Sequence, residues 1–198
     1  LADTEARRVR LLGEVAHEMR TPLTVIDGYV EGMIDGVLPV TDEALGQLSE
    51  EARRLRRLSD DLSTLSRAEE GRLVMELSPL DLSGVARTAA ERLRPQAEDA
   101  GLNLDLHLDE ALPIDGDADR LAQVVTNLVG NALRATPEGG ALTLRGRTEG
   151  DSAVLTVTDT GEGLSEADLT RIFERFYRVP GRRGADGETG SGIGLAIA

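Results

Sequence analysis

The feature that most constrains this chain is a seven-residue apolar repeat through its first third. Leu12, Met19, Ile26 and Met33 are seven apart, and Leu23, Val30 and Val37 form a second row with the same spacing. Such a repeat keeps side chains on one stripe of an α-helix, so residues 1–37 predict a long amphipathic helix. Leu38-Pro39-Val40-Thr41-Asp42 interrupts it, with Thr41 or Asp42 suited to cap a second helix. The repeat then resumes to about Ala68, at Leu48, Leu55 and Leu62 and at Leu58 and Leu65. Two such helices joined by a short turn make a hairpin. One hairpin leaves the seam of Leu48, Leu55, Leu58, Leu62 and Leu65 uncovered, and pairing into a four-helix dimer covers it.

After Glu70-Gly71 the texture changes, which divides the chain into residues 1–70 and 71–198. Leu73–Leu77 reads as a short strand and Leu82–Ala100 as a helix. Leu102, Leu104, Leu106 and Leu108 alternate with polar residues, the pattern of a half-buried strand. A helix is expected from about Asp117 to Ala135, with Asp117 as its cap. Ala141–Thr148 and Ala153–Thr158 read as strands around a Gly150-Asp151 turn. Residues 160–191 are rich in Gly, Arg and Asp, with one short helix near Leu169–Tyr177. Helices and strands mixed in this way give an α+β sandwich, helices on one face of a sheet.

Composition removes several function classes. The 22 basic residues are all Arg, so a P-loop, a eukaryotic-type kinase site and Schiff-base chemistry all lack their lysine. There is no Cys, hence no disulfide or thiolate site. A net charge of −14 opposes binding to nucleic acid. No apolar run approaches the roughly 20 residues that cross a bilayer, so no membrane contact is expected of this stretch. The sequence begins at Leu1 and stops at Ala198 inside an apolar run, and reads as a fragment of something longer.

Four motifs carry chemistry. In His17-Glu18-Met19-Arg20-Thr21-Pro22-Leu23, Val15 and Met19 lie about 200° around the helix from His17, which therefore faces solvent. Thr21 falls about 40° from the same line, one turn on. An imidazole neutral near pH 7 offers one ring nitrogen as nucleophile, and Glu18 can hold the other. Taken alone, His17 is equally an ordinary surface histidine. In the second motif Leu121, Val125, Leu128 and Ala132 form a core stripe, and Asn127, Asn131 and Arg134 cluster roughly 120° away with Arg120. Amide oxygens suit Mg2+ and guanidinium suits phosphate, although a solvated polar face has the same composition. Asp159-Thr-Gly161-Glu-Gly163 follows a strand; its carboxylate can accept from an adenine amino group, or the stretch is a plain turn. Gly190-Ser-Gly192-Ile-Gly194 can cradle phosphate with backbone amides, a weak signal by itself. Asp115-Gly-Asp117-Ala-Asp119 imitates a calcium loop, but Arg120 and Thr126 occupy its Gly and Glu positions. His107 sits on the polar side of its strand.

In this order the four motifs resemble those of the sensor histidine kinases of two-component systems, over nearly the whole chain. His17–Leu23 is similar to the H box, Asn127–Thr136 to the N box and Asp159–Gly163 to the first glycine box. Ile172–Arg178 is similar to the F box and Gly190–Leu195 to the second glycine box. The resemblance implies a dimeric phosphoacceptor hairpin followed by an ATP-binding domain of the gyrase, heat-shock-90 and histidine-kinase type. It implies His17 as phosphoacceptor assisted by Glu18, Asn131 as Mg2+ ligand supported by Asn127, and Arg134 on phosphate. Asp159 would take adenine, with Gly161, Gly163, Gly190, Gly192 and Gly194 lining the site. Residues 161–190 would be a lid, with Arg175 and Arg178 as contacts. The partner would be a response regulator receiver domain. Thr21, from the Glu-x-x-Thr arrangement, would serve dephosphorylation of that regulator. The departure is at the end: the family continues beyond the second glycine box, so the ATP domain is expected to be incomplete here. The parent protein is expected to be membrane-anchored, with this portion cytoplasmic.

Overall fold

The structure is a computed structural model that describes the backbone of residues 2–69, 72–179 and 192–197, and the side chains within 13–68, 72–179 and 192–197. The chain divides into two compact units, Leu1–Glu70 and Gly71–Ala198.

The first unit is a pair of helices, α1 (Ala2–Ile34) and α2 (Asp42–Glu69). Val37 and Leu38 both donate backbone N–H to Gly32 O, at 2.9 and 2.8 Å, which satisfies a carbonyl at the end of α1. Thr41 Oγ1 accepts from Ala44 N at 3.2 Å, so the threonine, not Asp42, caps α2. Helix α1 runs on through Pro22, whose ring is buried and which has no N–H to give to the helical ladder. The expected seam is corrected. Leu58 and Leu65 are already buried within one chain, at 4% exposure each. Leu48, Leu55 and Leu62 are half-buried, and Leu23 and Val30 are exposed at 44% and 40%. Two interleaved seven-residue rows lie at different angles on a helix, so one can be covered while the other is left outward.

In the second unit, β1 (Ser78–Asp81) pairs antiparallel with β3 (Pro113–Gly116). A separate three-stranded sheet has the order β2-β4-β5, from Asn103–Leu108, Ala141–Glu149 and Ser152–Asp159. Strand β2 is parallel to β4, and β4 is antiparallel to β5. Helices α3 (Leu82–Glu91) and α5 (Ala118–Ala135) pack on each other, with α4 (Arg94–Asp99) beside β2. Ala86, Ala89 and Ala90 on α3 are buried and let α5 approach closely; Val125 and Val129 of α5 join Leu104, Leu142 and Leu144 of the sheet in one core. Each fully buried Leu or Val contributes roughly 1.5–3 kcal/mol by leaving water. With almost no aromatic side chains, the core is aliphatic.

Several expectations change. Residues 73–77 form no strand; the strand begins at Ser78, where β3 supplies partners, and Glu76 N donates instead to Asp117 Oδ2 at 3.1 Å. The single helix expected over 82–100 breaks between Glu91 and Arg94, because Pro95 lacks the donor and its ring would crowd the Glu91 carbonyl. The short helix near Leu169–Tyr177 is instead α6 (Glu166–Leu169), started by Ser165, whose Oγ accepts from Asp168 N at 3.2 Å. On α5 the buried stripe is Val125, Val129, Ala132 and Leu133, with Leu121 and Leu128 only half-buried. That is a rotation of roughly 50° from the expected stripe, caused by α5 packing on α3 as well as on the sheet. The β4–β5 hairpin turns at Gly150, φ 59°, where expected.

Candidate active site

On α1, His17 and Thr21 are both exposed, Val15 and Met19 are half-buried, and Pro22 is buried. Helical geometry puts the imidazole and the hydroxyl a turn apart on the outward face. Glu18, next in sequence, is half-buried. Thr24 Oγ1 donates to Arg20 O at 2.9 Å, a back-bond in the turn interrupted by Pro22. This is an accessible imidazole on a helix.

In the second unit, the candidate nucleotide residues converge around the outer side of α5. That helix starts where Asp117 accepts from Asp119 N and Arg120 N, both at 3.1 Å. These bonds, and above all the one from Glu76 N–H, hold the Asp117 carboxyl below the ordinary aspartate value. Asn127 and Asn131 are half-buried and Arg134 is exposed. Asn127 Nδ2 donates to Gly194 O at 2.9 Å, which brings the last glycine segment against the helix. Gly194 is therefore beside Asn127, while Gly192 lies against the Phe176 backbone. Gly190 lies outside the described residues.

Asp159 ends β5, paired in register with Leu142. Thr160 locks this end: its N–H donates to Ala141 O at 3.1 Å, and its Oγ1 accepts from Ala141 N at 3.0 Å. Asp159 Oδ1 accepts from Gly161 N at 2.9 Å, leaving the exposed carboxylate its other oxygen for a ligand. Gly161 runs so close to α5 that a Cβ there would sit 2.4 Å from Ala135 O. Gly163 adopts φ 70°. The two glycines thus have different reasons, contact in one case and backbone twist in the other.

Arg134 Nη2 donates to Asn131 Oδ1 at 2.5 Å, so a cationic group already stands on the amide oxygen expected to meet a metal. Among the described residues no cluster of three His, Cys, Asp or Glu could hold a metal ion. The Asn131 amide oxygen is a fitting ligand for Mg2+, which keeps several waters and takes its other ligands from phosphates, once the exposed Arg134 side chain swings off it. Arg175 is exposed and Arg178 half-buried, in the turns after α6. Sequence reasoning passed over Ile193, fully buried, which anchors the last glycine segment. Its apolar side chain between two glycines was the available signal. It also passed over Asp168, for which the sequence carries no comparable signal.

An exposed histidine on a two-helix hairpin and an Asn, Asp and Gly site on an α/β sandwich define a phosphoacceptor module followed by an ATPase-type module. Family models agree: "His Kinase A (phospho-acceptor) domain" matches residues 7–71, and "Histidine kinase-, DNA gyrase B-, and HSP90-like ATPase" matches residues 116–198. The chain belongs to the sensor histidine kinases. It is 38% identical over 198 residues to the signal transduction histidine-protein kinase BaeS of Escherichia coli K12, covering all of this chain and 42% of that protein. It therefore spans less than half the length of that relative. The histidine kinase AdeS of Acinetobacter baumannii superposes with a TM-score of 0.74 at 28% identity, over 91% of this chain and 83% of that one. The mycobacterial sensor histidine kinase MprB gives 0.53 at 30% identity, over 61% and 74%. Among the described residues no helix is long and apolar enough to cross a membrane.

Proposed function

We propose that this chain is the catalytic core of a kinase that transfers the γ-phosphoryl group of ATP to His17, and from there to an aspartate of a response regulator receiver domain. The observation that carries the proposal is the outward placement of His17 on α1, in a chain whose second unit brings Gly194 against Asn127. His17 offers a ring nitrogen to phosphorus; the N–P bond forms as the β–γ bridging P–O bond breaks, and ADP leaves. Glu18 is the partner for the second ring nitrogen and favours the cationic ring that develops. Asp159 accepts from the adenine amino group. Asn131 holds Mg2+ and Arg134 meets phosphate oxygens, while Asn127 keeps the backbone of Gly192–Gly194 in place as a phosphate cradle. Mg2+, when bound, screens the phosphate charges against one another.

The half-buried and exposed rows of the hairpin support a homodimer, a four-helix bundle formed with a second copy. The relatives support a membrane-anchored parent with this portion on the cytoplasmic side. Thr21, exposed a turn beyond His17, would orient water against the acyl phosphate of the regulator and so support a phosphatase activity.

The test is incubation of the chain with γ-labelled ATP. Acid-labile, alkali-stable label is expected, lost in His17→Gln. ATP turnover without such label would instead assign an ATP-driven conformational machine. In the full-length kinase, Thr21→Ala should keep autophosphorylation and slow release of phosphate from the regulator. Loss of labelling as complete as in His17→Gln would place the hydroxyl with the nucleophile.

A further inference from the structure

The turns after α6 are held by a cluster of side chains centred on one carboxylate. Ser165 Oγ donates to Asp168 Oδ2 at 2.5 Å, and Tyr177 Oη donates to Asp168 Oδ1 at 2.6 Å. The Arg171 guanidinium lies over the Tyr177 ring, 4.2 Å from its centroid, and pairs with Glu174. Tyr177 is thereby fixed at both its hydroxyl and its ring. The residue before it, Phe176, stands at φ 57°, the one non-glycine residue with positive φ among those described. An L-residue stays in that region only where its surroundings over-determine it.

Phe176 is where the backbone meets the last glycine segment. Its N–H donates to Gly192 O at 2.8 Å. Gly192 stands at φ 70°, and a Cβ there would lie 2.7 Å from the Phe176 carbonyl carbon. Ile193 follows, fully buried, and Gly194 O then accepts from Asn127 Nδ2 at 2.9 Å. A continuous set of contacts therefore runs from Asp168 through Tyr177, Phe176 and Gly192 to Asn127.

The geometry points to Asp168 as a positioning residue of the nucleotide site, which fixes Tyr177 and Phe176 and so sets Gly192–Gly194 against Asn127. Its effect on ATP rests on the reading of Gly192 and Gly194 as a phosphate cradle. Asp159 at the adenine end is held independently, by Thr160 and Gly161, so Asp168 acts on the triphosphate and not on the base.

Two measurements on the full chain test this. The first is amide hydrogen exchange at Phe176 without nucleotide. Removing the bond from Tyr177 to Asp168 should speed it roughly fivefold in Tyr177→Phe, and at least as much in Asp168→Ala, which also loses the bond from Ser165. The second is affinity for ATP and for adenosine, by titration. ATP should weaken roughly fivefold in both variants, with adenosine unchanged. The double variant should be no worse than Asp168→Ala alone, and Asp168→Asn, whose amide oxygen still accepts from Tyr177, should restore both readouts. Unchanged exchange at Phe176 in Asp168→Ala would overturn the inference, as would an equal loss of adenosine and ATP. A wild-type chain that binds adenosine but gains nothing from the triphosphate would overturn the cradle reading, and the nucleotide role of Asp168 with it. The exchange measurement would still decide its hold on Phe176.

Discussion

Replacing Gly161 with alanine tests the architecture of the adenine end most directly. The added Cβ would lie 2.4 Å from Ala135 O, 3.1 Å from Ala135 C and 2.8 Å from Asp159 Oδ1, whereas ordinary contact begins at 3.4 Å. Ala135 is the last residue of α5 and its carbonyl cannot retreat without unwinding that helix, so the 160–162 backbone must move by about 1 Å. That displacement breaks the 2.9 Å bond from Gly161 N to Asp159 Oδ1. Overpacking of this kind costs roughly 1–3 kcal/mol, and the freed carboxylate no longer points in one direction. We expect the melting temperature of the second unit to fall by roughly 3–12 °C. Adenosine affinity should fall about tenfold or more, a loss near 1.4 kcal/mol. Gly163→Ala is the control: nothing lies within 4 Å of its Cβ, and only the φ of 70° opposes substitution. It should cost roughly 1–2 kcal/mol of backbone strain, and Gly163→Asn less. Differential scanning calorimetry and adenosine titration of both variants provide the check. Wild-type affinity and stability in Gly161→Ala would refute the close approach to α5.

At the two ends of the site, Asp159→Asn should weaken nucleotide with or without Mg2+, while Asn131→Ala should mainly remove the Mg2+-dependent part; equal, Mg2+-independent losses in titrations with a labelled ATP analogue would contradict those roles. In the hairpin, Leu58→Ala should destabilise by roughly 2–5 kcal/mol, because that side chain is buried within one chain. Leu55→Glu with Leu62→Glu should instead dissociate the dimer, and a wild-type monomer in light scattering at tens of micromolar would remove the four-helix proposal. Asp81 is held below the ordinary aspartate value first by the bond from Leu112 N–H, then by those from Ser83 and Gly84, and Asp117 first by Glu76 N–H. Depressed folded values mean stability fully present above about pH 4 and lost as pH falls through the folded values. Asp81→Asn should therefore flatten acid unfolding followed by circular dichroism, and an unchanged acid transition would contradict the linkage.

Much of this protein was legible from local pattern. The spacing of Met19, Ile26 and Met33, the alternation from Leu102 to Leu108, the Gly150 turn and the Asp117 cap are each determined by neighbours a few residues away. Backbone sterics and helix or strand periodicity act over that range. The outward direction of His17 followed from the same periodicity, since Val15 and Met19 fix which side of α1 is apolar. Distant partners decided the rest. Leu58 and Leu55 carry the same residue in interleaved repeats, and only packing distinguishes the buried one from the half-buried one. The stripe on α5 turned toward Val129 and Leu133 because α3 shares its coverage with the sheet. The strand expected at Leu73–Leu77 moved to Ser78–Asp81 because a strand forms where another supplies hydrogen bonds, and β3 lies more than thirty residues away. Phe176 at φ 57° and Gly192 against its backbone have no local signature. Their conformations are set by contacts between segments, which sequence spacing does not encode.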